Sequence, residues 1–192
     1  MSANALWFTA RGAGLSAMLL LSVAVVLGAL GSMTTRTAST RVVVQYVHRT
    51  AAALGLSLIA VHVTTLVLDA KAHVGVAGAL IPFAAHYRPG AVALGSIAMY
   101  TFLFVAALGA ARGRLAASRV GAVTWRALHA LAYPAWLAAV VHGLLAGTDR
   151  GQRWVVVLVL GCIGAVMVAV LARLSALDGQ SAHPVERARV VR

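Results

Sequence analysis

The chain has 192 residues, 61% of them hydrophobic and only 10% charged, with 16 Lys and Arg against 4 Asp and Glu. A soluble domain is about half apolar and a quarter charged, and a chain this short has too little interior to hide so much apolar surface from water. The formal net charge of +12 does not point to nucleic acid either, because the basic residues fall between long apolar blocks, as in membrane loops.

Charged residues divide the chain into five windows without a formal charge. They hold 24 residues between Arg11 and Arg36, 19 between Arg49 and Asp69, 23 between Arg88 and Arg112, 22 between Arg126 and Asp149, and 19 between Arg153 and Arg173. A membrane-spanning helix needs about 20 mostly apolar residues, and a single segment crosses lipid only as a helix. The expected fold is an all-α bundle of five transmembrane helices, at roughly 13–33, 43–68, 90–110, 127–148 and 154–173. The first apolar run is longer than that of a secretory signal, and only Arg11 precedes it, so it is read as a retained span. After the second span comes an uncharged run, Ala72–Tyr87, interrupted by Gly75, Gly78 and Pro82. It is too short and broken for a span and reads as a re-entrant or interfacial segment, one form being a loop helix covering the bundle. Residues 1–175 form the membrane domain, and 176–192 a short basic tail expected to lack fixed structure.

Orientation follows from the basic residues. With the N-terminus outside, the inner face carries Arg36, Arg41, Arg49, Arg112, Arg114, Arg119, Arg126, Arg173, Arg187, Arg189 and Arg192, which is 11 of the 16. Positive residues favour the cytoplasmic side, so the N-terminus is expected outside and the C-terminus in the cytoplasm. The lone Cys162 permits no disulfide within one chain and no C-x-x-C-H haem attachment.

Four of the seven histidines fall inside spans: His48 and His62 on the second, His129 and His142 on the fourth. An ionisable side chain at membrane depth is costly and marks function by default. His48 and His62 stand 14 residues apart, about 21 Å along a helix and within roughly 40° of one face. The second and fourth spans run in the same direction, so His48 can face His129 near the inner surface and His62 can face His142 in the outer half. One detail resists this pairing: His129 and His142 are 13 residues apart, roughly 140° out of phase on an ideal helix. Pro134 lies between them and cannot donate to the Ala130 carbonyl, so a kink or tightened turn there is needed to restore the facing.

Two stacked imidazole pairs suit two b-type haems, whose iron takes a histidine on each face and whose flat apolar ring fits a helical bundle. Zinc would need further ligands, and no Cys, Asp or Glu neighbours either pair. Small residues beside the histidines leave room for a wide ring: Ala51, Ala52, Ala53 and Gly55 on one span, Ala127, Ala130, Ala132, Ala135 and Gly143 on the other. Small residues also serve plain helix packing. Two other readings stay open, histidines as interhelical hydrogen bonds and a histidine relay for protons or metal ions without haem.

The paired histidines sit in a context that resembles the ferric reductase-like transmembrane domain. That superfamily includes the NADPH oxidases, the ferric reductases and the haem subunit of a bacterial methionine sulfoxide reductase system. The similarity extends over about residues 7–175, and its wording is closest to short actinobacterial members. It is carried by Ala10-Arg11-Gly12-Ala13-Gly14-Leu15, Val47-His48-Arg49, Val61-His62-Val63, Tyr87-Arg88-Pro89 and Trp125-Arg126-Ala127-Leu128-His129. The resemblance implies two non-covalent b haems, the inner on His48 and His129 and the outer on His62 and His142. It also implies a bacterial cell membrane and electron flow from the cytoplasmic to the outer face. Many members have a sixth span and a flavin and nicotinamide domain. Here about 20 residues follow the fifth span, so the donor is expected to be a separate flavoprotein or a membrane quinol. The acceptor would lie outside the cytoplasm, as a flavin-carrying protein, ferric iron or similar, with any flavin on the partner.

Haem propionates need cationic partners, and arginine forks suit carboxylates. Arg49 and Arg126 adjoin the expected inner histidines, and Arg11 and Arg88 lie at the outer span ends. Each is equally placed as an interfacial anchor. His73 and His86 in the outer loop, and His183 in the tail, read as surface histidines. Trp7, Trp125 and Trp154 mark span ends, while Trp136 is deep in the fourth span and is expected to pack against a ring or a helix.

Overall fold

The computed structural model describes the backbone of residues 3–31 and 37–190, with the side chains of 4–31 and 37–176. Arg36 and Arg192, both assigned to the inner face by the charge reading, lie outside the described residues, as do the side chains of Arg187 and Arg189. The described residues are helical, without a strand.

Helix α1 covers Ala3–Gly31 and α2 Ala38–Leu68; a single 3₁₀ turn, Ala70–Ala72, and a short α3, Gly75–Leu80, lead to α4, Pro89–Ala110. The one-turn α5, Arg112–Leu115, precedes α6, Arg119–His129, and α7, Ala132–Ala146; α8 runs Arg153–Val190. Five segments are long and apolar enough to cross a membrane: Asn4–Gly31, Ala38–Leu68, Pro89–Ala110, Arg119–Ala146 and Arg153–Ala176. All five start earlier than charge spacing predicts, the first and the fourth by the most. Arg11 does not end the first, because its guanidinium lies 3.9 Å over the Trp7 ring one turn back and pairs with Asp149. The fourth reaches back to Arg119 because Ser118 caps α6, its hydroxyl accepting from the Gly121 N–H at 3.0 Å. The backbone of α8 continues as helix through the stretch read from sequence as a loose tail.

The starts of the other helices follow from local chemistry. The Thr37 side chain caps α2, and Pro89 occupies the first turn of α4, where its missing N–H costs nothing. The Asp69 carboxylate accepts from the Lys71 N–H at 3.0 Å just past α2. The segment over Ala72–Tyr87 contains one short helix, α3, Gly75–Leu80. Ser96 donates to the Ala79 carbonyl at 2.8 Å and Tyr100 to the Leu80 carbonyl at 2.5 Å, tying α3 to α4.

Two antiparallel hairpins make the bundle, α1 against α2 and α4 against α7, with α8 packed on α1. Small residues let α1 approach its neighbours: Ala10, Ala13, Ala17, Ala24 and Ala29 are all buried. The hairpins meet through a core of Leu21, Val25, Phe102, Trp136 and Val140, which α8 extends with Val155, Val159, Cys162 and Val166. Trp136 packs against a helix there, its indole N–H donating to the Ser22 hydroxyl at 2.8 Å. The outward faces remain apolar, as at Leu54, Leu103, Val157, Leu160 and Val168, which suits lipid and not water.

Candidate metal-ligating site

The four intramembrane histidines meet in the two pairs that their spacing predicts. The rings of His48 and His129 have centroids 6.3 Å apart with planes at 59°. Those of His62 and His142 are 6.4 Å apart at 82°. The fourth span accommodates its 13-residue spacing by breaking. Helix α6 ends at His129 and α7 begins at Ala132, and the junction is made of three-residue turns, Leu131 N–H to Leu128 carbonyl at 3.1 Å and Tyr133 N–H to Ala130 carbonyl at 3.0 Å. Pro134 has no N–H for the Ala130 carbonyl, so Tyr133 supplies it from one residue nearer. Each residue of such a turn advances about 120° instead of 100°. The added rotation has the sign that carries His142 back toward the face of His129.

Three of the four rings are held from behind by the partner helix of their own hairpin. Nδ1 of His48 lies 2.8 Å from the Ala24 carbonyl, Nδ1 of His62 2.7 Å from that of Ala10, and Nδ1 of His142 2.7 Å from that of Ala91. A carbonyl can only accept, so Nδ1 carries the proton in all three, and Nε2 of the neutral ring keeps its lone pair. His129 differs: its buried Nδ1 completes no hydrogen bond. Trp125 compensates by stacking on it at 4.8 Å and 16°, with the indole N–H fixed to the Leu108 carbonyl at 2.8 Å.

Glycines provide the space for these rings. A Cβ at Gly14 would come within 3.0 Å of His62, at Gly28 within 3.3 Å of His48, at Gly95 within 2.8 Å of His142 and at Gly109 within 3.4 Å of His129. The glycines that face the imidazoles thus stand on α1 and α4. Gly55 is filled by Leu21 of α1, and Gly143 faces open space. The sequence reading gives Trp125 only as a span-end and motif residue and Gly14 only within a motif, and assigns neither of them, nor Gly28, Gly95 or Gly109, a contact with a histidine. The signal for the glycines was present: Gly14 and Gly28, and Gly95 and Gly109, repeat the 14-residue spacing of His48 and His62.

The pairs fit a single metal ion held by two imidazoles. An imidazole nitrogen sits about 2.0–2.1 Å from a bound first-row metal with its ring centre about 1.1 Å behind, so two opposed rings have centroids about 6.3 Å apart. A backbone carbonyl accepting from Nδ1–H is a usual partner of a ligating histidine. Among the described residues no three His, Cys, Asp or Glu converge, so a tetrahedral site is not offered.

The arginines divide in their engagements. Arg11 is taken up by Asp149 and Trp7. Arg88 donates to the Leu145 carbonyl, and Tyr87 to that of Ala146 at 3.0 Å, so both cap the end of α7 three to four residues past His142. Arg49 and Arg126 are exposed. His73 and His86 are exposed and line a cavity of about 370 Å³ with Asp69 and Val74, whose lining includes none of the four paired histidines. No family model matches the chain, and no curated protein or solved structure does either.

Proposed function

We propose that the chain is a transmembrane electron-transfer subunit holding two bis-histidine b-type haems, one on His48 and His129 and one on His62 and His142. The observation that carries the reading is the pinned imidazole, with Nδ1–H committed to a backbone carbonyl at three of the four histidines and a second ring whose centroid lies 6.3–6.4 Å away. Haem, when bound, would supply one-electron chemistry at its iron, and His48 with His129 and His62 with His142 would hold it.

The residues of the chain do the rest. The histidines bind, the carbonyls of Ala10, Ala24 and Ala91 orient them, and the apolar helix faces keep water away. The two pairs lie 14 residues apart on α2, about 21 Å, within a bilayer core about 30 Å thick, so they belong to opposite leaflets. Arg49 and Arg126 are free to serve propionates beside one pair, whereas Arg11 and Arg88 would first have to leave Asp149 and the Leu145 carbonyl. The basic residues favour an external N-terminus and a cytoplasmic C-terminus in a bacterial cell membrane, with His48 and His129 on the inner side. Electrons would enter there from a separate flavoprotein or a quinol and leave beside His62 and His142 to an extracytoplasmic acceptor.

A proton relay is the competing reading, and the same hydrogen bonds weigh against it. A relay imidazole must take a proton at one nitrogen and release it from the other, which a carbonyl-locked Nδ1–H does not do. The visible spectrum and pyridine haemochrome content of the purified protein decide between them. Two haems per chain are expected; a colourless protein overturns the proposal, and a ratio of one overturns one pair.

A further inference from the structure

We infer that the glycines facing the histidines are positioning residues that fix the rotation of each imidazole plane, and through it the magnetic character of each haem centre; this rests on the two-haem reading. Three of the four contacts share one construction. Gly14, Gly28 and Gly95 each lie four residues after the carbonyl bonded by the ring they face, those of Ala10, Ala24 and Ala91. A Cβ at Gly109 would lie 3.4 Å from His129, but that ring completes no carbonyl hydrogen bond. In a helix the Cβ leans toward the N-terminus, so a side chain at the fourth residue would lie over that carbonyl and shield its second lone pair. Glycine uncovers the carbonyl and gives the ring a flat floor. The ring then has its Nδ1–H aimed in one direction and its edge against backbone, which leaves no freedom to turn about its metal-facing axis.

The consequence is electronic. An imidazole donates π density to the iron d orbital perpendicular to its own plane. Two parallel rings act on one of the two candidate orbitals and split them; two crossed rings act on one each and leave them nearly equal. Near-equal orbitals retain orbital angular momentum and spread the ferric g values far apart. The planes cross at 82° for His62 and His142 and at 59° for His48 and His129, so the first pair carries the more anisotropic signal.

Electron paramagnetic resonance of the oxidised protein tests this with four glycine variants. Gly95→Ala, whose Cβ would meet His142 at 2.8 Å, is expected to keep two haems per chain while shifting only the signal that His62→Ala abolishes. Gly28→Ala, with 3.3 Å to His48, shifts the other signal less, and Gly109→Ala, at an ordinary 3.4 Å, shifts it least. Gly12→Ala, with nothing within 4 Å on the same helix as Gly14, leaves both unchanged. A coloured Gly95→Ala protein with a spectrum superimposable on the parent overturns the inference alone, as does a Gly12→Ala shift of equal size. If Gly95→Ala does not accumulate, an unshifted Gly28→Ala spectrum overturns it. A colourless parent protein overturns the haem reading and the inference with it.

Discussion

A histidine in a membrane helix gains its meaning from the nitrogen that is already occupied. At His48, His62 and His142 the backbone takes Nδ1, so each ring has one donor atom left and one direction in which to offer it. Truncating any of the four removes one ligand and exposes an apolar gap where the ring stood. We expect His62→Ala and His142→Ala to lose the same haem, and His48→Ala and His129→Ala to lose the other, each halving the haem content in reduced-minus-oxidised spectra. If His62→Ala and His129→Ala lost the same haem, the pairing across hairpins would be wrong. Within that set His129 is the loosest ring, held by the Trp125 stack and not by a completed hydrogen bond.

At the scale of the element, the break between α6 and α7 matters more than any span length. It depends on a missing proton donor at Pro134, which lets Tyr133 claim the Ala130 carbonyl. Pro134→Ala restores that donor, and a straightened helix would return His142 toward its ideal phase, roughly 140° from His129. The expected outcome is a fall from two haems per chain toward one, read by haemochrome assay; two haems with unchanged spectra would show that packing around Trp136 holds the break without the proline. The sequence made this tension visible, because 13 and 14 residues cannot both keep one face of an ideal helix. It also made the five spans visible, since their apolar length exceeds that of any competing element. Span ends were less legible. Arg11 reads as a boundary only until Trp7 and Asp149 are found around it, and those partners lie one turn back and far along the chain. The glycine seats were hidden for a similar reason: their partners are on other helices, and spacing alone does not say which helices touch.

For the whole molecule, the charge asymmetry sets the direction of everything proposed. A reporter fused after Arg192 is expected to read as cytoplasmic and one placed before Trp7 as external; the reverse would exchange the inner and outer pairs and the direction of electron flow. The two hairpins share a plan, a glycine-bearing helix backing a histidine-bearing one, and each contributes one histidine to both pairs. Neither hairpin can therefore complete either pair by itself. That division has a consequence in time. His129 leaves the ribosome 67 residues after His62, and at about 5–20 residues per second the first hairpin waits several seconds as two half-sites. Insertion of the fourth span then ends the wait for both pairs almost together, which makes its arrival the committing moment in the biogenesis of the protein.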